Sequence, residues 1–252
     1  MTTASVGFHC PECAKAGRQT VVSGAALFGA RPLVTQILIG INVAVFVLSV
    51  ALGDGIMGQR SESGLLVEGA VAGVLVAEFG EWWRIVTSGF MHFGLFHLAF
   101  NMYALWILGQ DFERSVGRLR FILVYVTCLM GGSFGALLVT PNAFTAGASG
   151  AIFGLFGVAV LAARSVGRSV WDTGLGTVLL INFVLTFGVS SISVGGHVGG
   201  FVAGLVCGWL VYELPRRAKP PKYAVDAIIT ALGVACFVGA LWAATTWQNP
   251  IF

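Results

Sequence analysis

The sequence predicts an all-α, polytopic membrane helix bundle, and three observations predict it. Hydrophobic residues fill 57% of the 252 positions, charged residues only 10%, and the mean hydropathy is +0.89. A soluble domain carries about 45–50% apolar and about 25% charged residues, so this chain lacks the polar side chains to cover a globule in water. The apolar residues also fall into seven runs, most of them near the roughly 20 residues that cross a bilayer core as a helix. Finally, the basic residues gather in alternate connections between those runs. The composition excludes a disordered chain, a collagen-like chain, a disulfide scaffold and a basic nucleic-acid binder, the formal charge being only +3.

The seven runs cover residues 33–52, 93–110, 119–139, 149–163, 174–192, 197–214 and 224–246. Three regions follow. Residues 1–31 form a short segment with a Cys-x-x-Cys, residues 32–214 a six-helix core, and residues 215–252 a basic connection followed by a seventh helix. No compact apolar stretch ending in a small-residue cleavage site precedes the first run, so that span is expected to stay in the mature chain. Leu65 to Phe79 is too short and carries Glu68 and Glu78; it reads as an interfacial element of a long first loop, with Trp82 and Trp83 as boundary aromatics. Cys128, Cys207 and Cys236 lie inside apolar runs and read as small hydrophobes. The chain lacks a usable internal repeat, which weighs against an inverted-repeat transporter.

Basic residues set the orientation. Lys15, Arg18 and Arg31 precede the first span, Arg114, Arg118 and Arg120 follow the second, Arg164 and Arg168 follow the fourth, and Arg216, Arg217, Lys219 and Lys222 follow the sixth. Twelve of the 14 Lys and Arg thus share one side, leaving Arg60 and Arg84 on the other. A bias of this kind places the N-terminus in the cytoplasm and the C-terminus outside the cell membrane.

The fourth run is short. Ser149 to Ala163 is 15 residues, or about 22 Å of helix in a hydrocarbon core about 30 Å thick. With Arg164 at the cytoplasmic surface, Ser149 would lie about 8 Å below the outer one. Irregular backbone at that depth (Pro141 to Ala148) is tolerated only beside protein or water, so an outward-opening, water-filled cavity is expected.

Ionisable residues inside a membrane are costly and therefore point to function. His92, His97 and His197 fall in the outer half of the bundle, joined by Asn101 and Ser149. Ser149 stands in Gly147-Ala148-Ser149-Gly150 at a helix start, where free N–H groups and the positive end of the helix dipole would stabilise an oxyanion beside a nucleophile. A helix cap with a small-residue packing face accounts for the same string. His197 opens the sixth run, ahead of a Gly200-x-x-x-Gly204 face that permits close helix packing. If that face meets the fourth run, the imidazole reaches the Ser149 hydroxyl as a general base; otherwise it is a hydrogen-bonded histidine at a helix start. No carboxylate shares this depth, so a Ser-His dyad is the only nucleophilic arrangement available. His97 and Asn101, four apart, share a helix face and suit either oxyanion donation or interhelical hydrogen bonding. His92 lies at the mouth and reads as structural.

Taken together these residues resemble the rhomboid family of intramembrane serine proteases. The likeness covers about residues 33–214: Glu81-Trp82-Trp83-Arg84 in the first outer loop, His97-Leu-Ala-Phe-Asn101 on the second span, Gly147-Ala148-Ser149-Gly150 on the fourth, and His197-x-x-Gly200-x-x-x-Gly204 on the sixth. The resemblance implies a rhomboid fold of six core helices plus one C-terminal helix. It implies Ser149 as nucleophile, His197 as base, and His97, Asn101 and the Ser149 N–H as the oxyanion site. Phe153 matches the position whose ring packs on the catalytic histidine, and Arg84 matches a structural position of the embedded first loop. Substrates would be transmembrane segments of other proteins in the lipid bilayer, cleaved near their outer end through an acyl-enzyme. A catalytically silent binder of membrane segments and a transporter relaying through His97 and His197 are the alternatives. The Gly-x-x-x-Gly face serves intramolecular packing and dimers alike.

No cofactor is expected. His9-Cys10-Pro11-Glu12-Cys13 resembles the end of a zinc ribbon with its first ligand pair missing. Structural zinc wants four ligands, so Cys10, Cys13 and His9 are weak metal candidates.

Overall fold

A computed structural model describes residues 2–3, 8–9, 31–57, 64–221 and 223–248. The chain divides into two compact units, Met1–Arg31 and Pro32–Phe252. In the first, a two-residue antiparallel ladder pairs β1 (Thr2–Thr3) with β2 (Phe8–His9). Cys10 and Cys13 lie outside the described residues, and so does the His9 side chain.

The second unit is helical. In order it contains α1 (Leu33–Ala51), the short α2 (Leu65–Gly69), α3 (Gly73–Ala77) and α4 (Arg84–Thr87), then α5 (Leu95–Val116), α6 (Arg118–Val139), α7 (Ser149–Ser165), α8 (Leu175–Gly188), α9 (Val194–Gly208), α10 (Leu214–Ala218) and α11 (Ala224–Ala244). A 3₁₀ turn (Ser88–Phe90) follows α4, and the segment bends by 91° into α5. A π turn (Trp209–Glu213) joins α9 to α10. Pro215 explains that turn: it has no N–H to give the preceding turn, and a wider turn absorbs the mismatch. Among the described residues, four stretches are long and apolar enough to cross a membrane: Leu33–Ala51, Arg118–Val139, Val194–Ala218 and Ala224–Ala244. Counted with its bent partner α5 makes a fifth, while α7 and α8 are shorter apolar helices of 17 and 14 residues.

Helix α6 is the hub. In its most apolar window 67% of residues are buried, against 28% for α1 and 22% for α11, so α6 is surrounded by protein and the other two face outward. Phe121, Val124, Tyr125 and Cys128 of α6 are almost completely buried, together with Leu155 of α7 and Cys207 of α9. Arg120 ties α6 to Asp226 of α11 through a two-pronged ion pair.

Several helix ends differ from the apolar runs, each for a local reason. Helix α5 continues six residues beyond position 110, because its charged last turns have partners. Glu113, buried, accepts from the Val34 amide (3.0 Å), the Thr35 amide (2.8 Å) and the Thr35 hydroxyl (2.8 Å). It thereby caps α1 from another helix, in place of a cap that Pro32 cannot provide. Helix α9 begins at Val194, three residues before the expected start, because the Ser193 hydroxyl accepts from the Gly196 amide at 3.1 Å. His197 therefore sits inside the first turn and does not open the helix. Residues 65–79, expected as a single interfacial element, form two short helices; Leu66 and Val76 in them and Ala70, Val71 and Ala72 between them are buried. Trp82 and Trp83 remain exposed, at 55% and 43%.

The Glu113 contact predicts its own measurement. Glu113→Ala should cost about 1.5–3 kcal/mol, the worth of hydrogen bonds to a charged group, seen as a lower unfolding midpoint of the purified protein in detergent. Glu113→Gln, which keeps one acceptor, should recover part of the loss.

Candidate active site

A cavity of about 1550 Å³ opens between α5, α7, α8 and the loops that precede α7 and α9. Ser149, His97, Asn101, His197, Gly147, Gly150 and Phe153 all line it. Among the described residues none of its lining side chains is a carboxylate.

Ser149 is the first residue of α7. The first intrahelical bond behind it runs from the Ile152 amide to the Ala148 carbonyl at 3.1 Å, so the Ser149, Gly150 and Ala151 amides precede the hydrogen-bonded ladder. The loop ahead of Ser149 is irregular yet held. Val71 and Thr145 exchange a pair of backbone bonds at 2.9 Å, the Gly73 amide donates to Pro141 (2.7 Å), and the Gly147 amide donates to Ser88 (2.9 Å). Gly147 has φ +132, a conformation L side chains rarely adopt. A methyl group there would also stand 2.7 Å from His97 Cε1, 2.9 Å from His97 Nε2 and 3.5 Å from Ser149 Oγ. The His97 ring and the Ser149 hydroxyl thus face one point in space.

His97 is the third residue of α5. Its Nδ1 accepts from the Phe93 amide at 3.3 Å, which leaves the neutral ring's proton on Nε2, the atom turned toward Gly147. Asn101, buried, donates from Nδ2 to the His97 carbonyl at 3.0 Å. His92 is buried beside His97, with ring centroids 5.1 Å apart, and does not line the cavity.

His197 comes from α9. Phe153, one turn after Ser149, stacks on its ring with centroids 3.9 Å apart and planes 17° from parallel. The Gly200 and Gly204 face packs directly on α7. A methyl group at Gly200 would collide with the Gly150 carbonyl oxygen, and one at Gly204 with that of Gly154. Arg84 stands apart from the cavity. Buried to 3% exposure, it pairs with Glu81 and donates to the Val67 and Ala70 carbonyls, tying the first loop together.

Two contributors escaped the sequence. Ser88 anchors Gly147 through a backbone carbonyl, which no side-chain pattern announces. Thr186 of α8 lies 2.7 Å from His197 Nδ1; a threonine in an apolar run reads as an ordinary helix residue, and only the packing of α8 brings it to the histidine.

Overpacking of the α7–α9 contact is directly measurable. Gly200→Val should lower the unfolding midpoint by the equivalent of at least about 1–3 kcal/mol. Gly40→Val in α1, where nothing lies within 4 Å of the added carbon, should leave it near the wild-type value.

Comparisons with known proteins place the chain among relatives. A family model, the Rhomboid domain, matches residues 79–214. The chain is 35% identical over 189 residues to "Rhomboid protease GluP" of Bacillus subtilis, covering 73% of this chain and 36% of that one. It is 44% identical over 80 residues to "Putative rhomboid protease YdcA" of the same organism, covering 31% of this chain and 40% of that one. It is also 31% identical over 182 residues to "Inactive RHOMBOID-like protein 8" of Arabidopsis thaliana, covering 69% of this chain and 51% of that one. The chain therefore spans 36%, 40% and 51% of the length of these curated relatives.

Proposed function

The chain belongs to the rhomboid family and is a multi-pass membrane protein, and from that premise we propose that it is a serine protease cleaving transmembrane segments of other membrane proteins by a Ser149–His197 dyad. The observation that carries this reading is the Ser149 helix start and the Phe153-stacked His197 lining one cavity, free of carboxylates among the described residues, on two helices in backbone contact. Residues 32–214 are the catalytic core in this reading. The N-terminus lies in the cytoplasm and the C-terminus outside the cell membrane, as the basic residues dictate.

The chemistry runs in two halves. Ser149 Oγ attacks the scissile carbonyl carbon while His197 Nε2 takes its proton. The resulting oxyanion is met by the Ser149 amide at the α7 N-terminus, by His97 Nε2–H and by the Asn101 amide. Asn101 would give up its bond to the His97 carbonyl, or use its second N–H. As the peptide C–N bond breaks, His197 returns the proton to the leaving amine, and the acyl group stays on Ser149. Water, deprotonated by the same nitrogen, then attacks the ester and releases the serine.

The test is labelling of the detergent-solubilised protein with a fluorescent fluorophosphonate. Wild type should label, while Ser149→Ala and His197→Ala should not, though both still insert and fold. Asn101→Ala should slow turnover of a transmembrane substrate by about 10²–10³-fold, the typical worth of an oxyanion donor. Cleavage that survives in Ser149→Ala ends the assignment. A second reading, a silent binder of membrane segments, is favoured by the likeness to a relative named inactive; it predicts a well-folded wild type that neither labels nor cleaves.

A further inference from the structure

The donor pattern around His197 defines which nitrogen carries the proton. The Thr186 hydroxyl is 2.7 Å from the Asn182 carbonyl oxygen, one turn back on α8, and 2.7 Å from His197 Nδ1. A hydroxyl has one hydrogen, and a carbonyl can only accept. The Thr186 proton therefore goes to Asn182, and the Thr186 oxygen is left as an acceptor. Nδ1 must then be the donor, so it carries the ring proton and Nε2 keeps its lone pair. That is the tautomer a general base needs when Nε2 faces the serine.

The two neighbours of His197 constrain it in complementary ways. Phe153, stacked on the ring, sets the plane in which the imidazole lies. It leaves rotation within that plane free, and the bond to Thr186 removes it. With no carboxylate among the described residues lining the cavity, the orienting group is a neutral hydroxyl polarised by a backbone carbonyl.

Thr186 also comes from an unusual place. Helix α8 buries only Gly176 and Thr186, while Val178, Leu180, Ile181, Val184, Leu185 and Phe187 are 47–66% exposed. It is fastened near Thr186 by Phe183, whose ring packs edge-on against Phe153 (5.4 Å) and Phe201 (5.2 Å). The group that holds the histidine therefore rides on the wall of the cavity that is least embedded in the rest of the protein.

We infer that Thr186 is a positioning residue: its hydroxyl, spent on Asn182, fixes His197 with the proton on Nδ1 and the lone pair on Nε2, so the dyad is competent only while α8 is docked. This rests on the proposed Ser149–His197 reading and adds the residue that sets the base.

The experiment has three arms. Initial rates on a transmembrane peptide in liposomes are measured across substrate concentration for wild type, Thr186→Val, Thr186→Ser and Ser149→Ala. Thr186→Val, close to the same shape without the hydroxyl, should lose about 10–100-fold in kcat with KM within about twofold, and Thr186→Ser should return to within about threefold of wild type. Equal losses in Thr186→Val and Thr186→Ser would mean that packing, not the hydroxyl, matters, and would overturn the inference. So would wild-type kcat in Thr186→Val. Nitrogen-15 NMR of histidine-labelled wild type, with the His197 signal identified by its loss in His197→Ala, reads the tautomer without any Thr186 variant. A proton on Nδ1 supports the inference, and one on Nε2 overturns it even if Thr186→Val does not fold. The Ser149→Ala arm separates the two ideas: activity persisting there sinks the serine reading, whereas a dead Ser149→Ala beside a fully active Thr186→Val sinks only the role of Thr186.

Discussion

The close approach of three glycine-lined helices is the constraint on which the rest of the molecule depends. Lipid tails are as apolar as leucine, so helices in a bilayer gain little from hiding apolar surface against each other and rely on van der Waals contact. Helices α6, α7 and α9 obtain that contact by bringing backbones together. Gly150 and Gly154 of α7 meet Gly200 and Gly204 of α9, while Gly131, Gly132 and Gly135 of α6 fit against Gly195, Gly196 and Gly199 of α9 and Gly150 of α7. A methyl group at Gly135, Gly195, Gly199, Gly200 or Gly204 would meet the backbone of the facing helix and push the two apart. Ser149 and His197 begin within a few residues of these contacts, so the separation of serine and histidine is inherited from backbone packing rather than from a local loop.

Around that rigid core the structure manages an awkward piece of chain. Residues 140–148 must enter the bundle without helical hydrogen bonds, and each unsatisfied backbone group there would be costly. The first loop supplies the partners: Val71 to Thr145, Gly73 to Pro141, and Ser88 to Gly147. That loop is itself braced from behind. Arg84 holds its turns together, and the C-terminal part leans on it through Trp247, three residues past α11, which donates to Glu78 at 3.1 Å, and through Phe237 of α11 against Trp82 at 6.3 Å. The seventh helix thus contributes to the site indirectly, by supporting the loop that supports the start of α7.

Helix α8 contrasts with all of this. Its partners are aromatic edges, two leucines (Leu175 and Leu179) and one hydroxyl, not interlocked glycines, and most of its side chains are exposed, with Val178, Ile181, Leu185 and Phe187 lining the cavity. A bundle that is tight on α6, α7 and α9 and loose on α8 has one wall able to shift at low cost, and that wall carries a contact to His197.

Much of this was legible in the residues themselves. Apolar runs reveal where helices lie because burial in lipid is a property of each segment alone, and the short run from Ser149 to Ala163 betrays a helix that starts inside the bundle. The four polar strings around Arg84, His97, Ser149 and His197 stood out because polar and small residues are expensive or weakly packing in a membrane unless they are used. Other features were decided only in three dimensions. The start of α9 at Val194 depends on a cap from Ser193, the last turns of α5 on Glu113 reaching the amides of α1, and the contact of Thr186 with the histidine on how α8 meets α9. Thr186 could not be distinguished from its neighbours by type or spacing, since its partner is 11 residues away on another helix. Composition and periodicity are local quantities and determine that helices form and which faces are polar. Which atoms meet across helices is set by the register of backbone contact, a property of the assembled bundle.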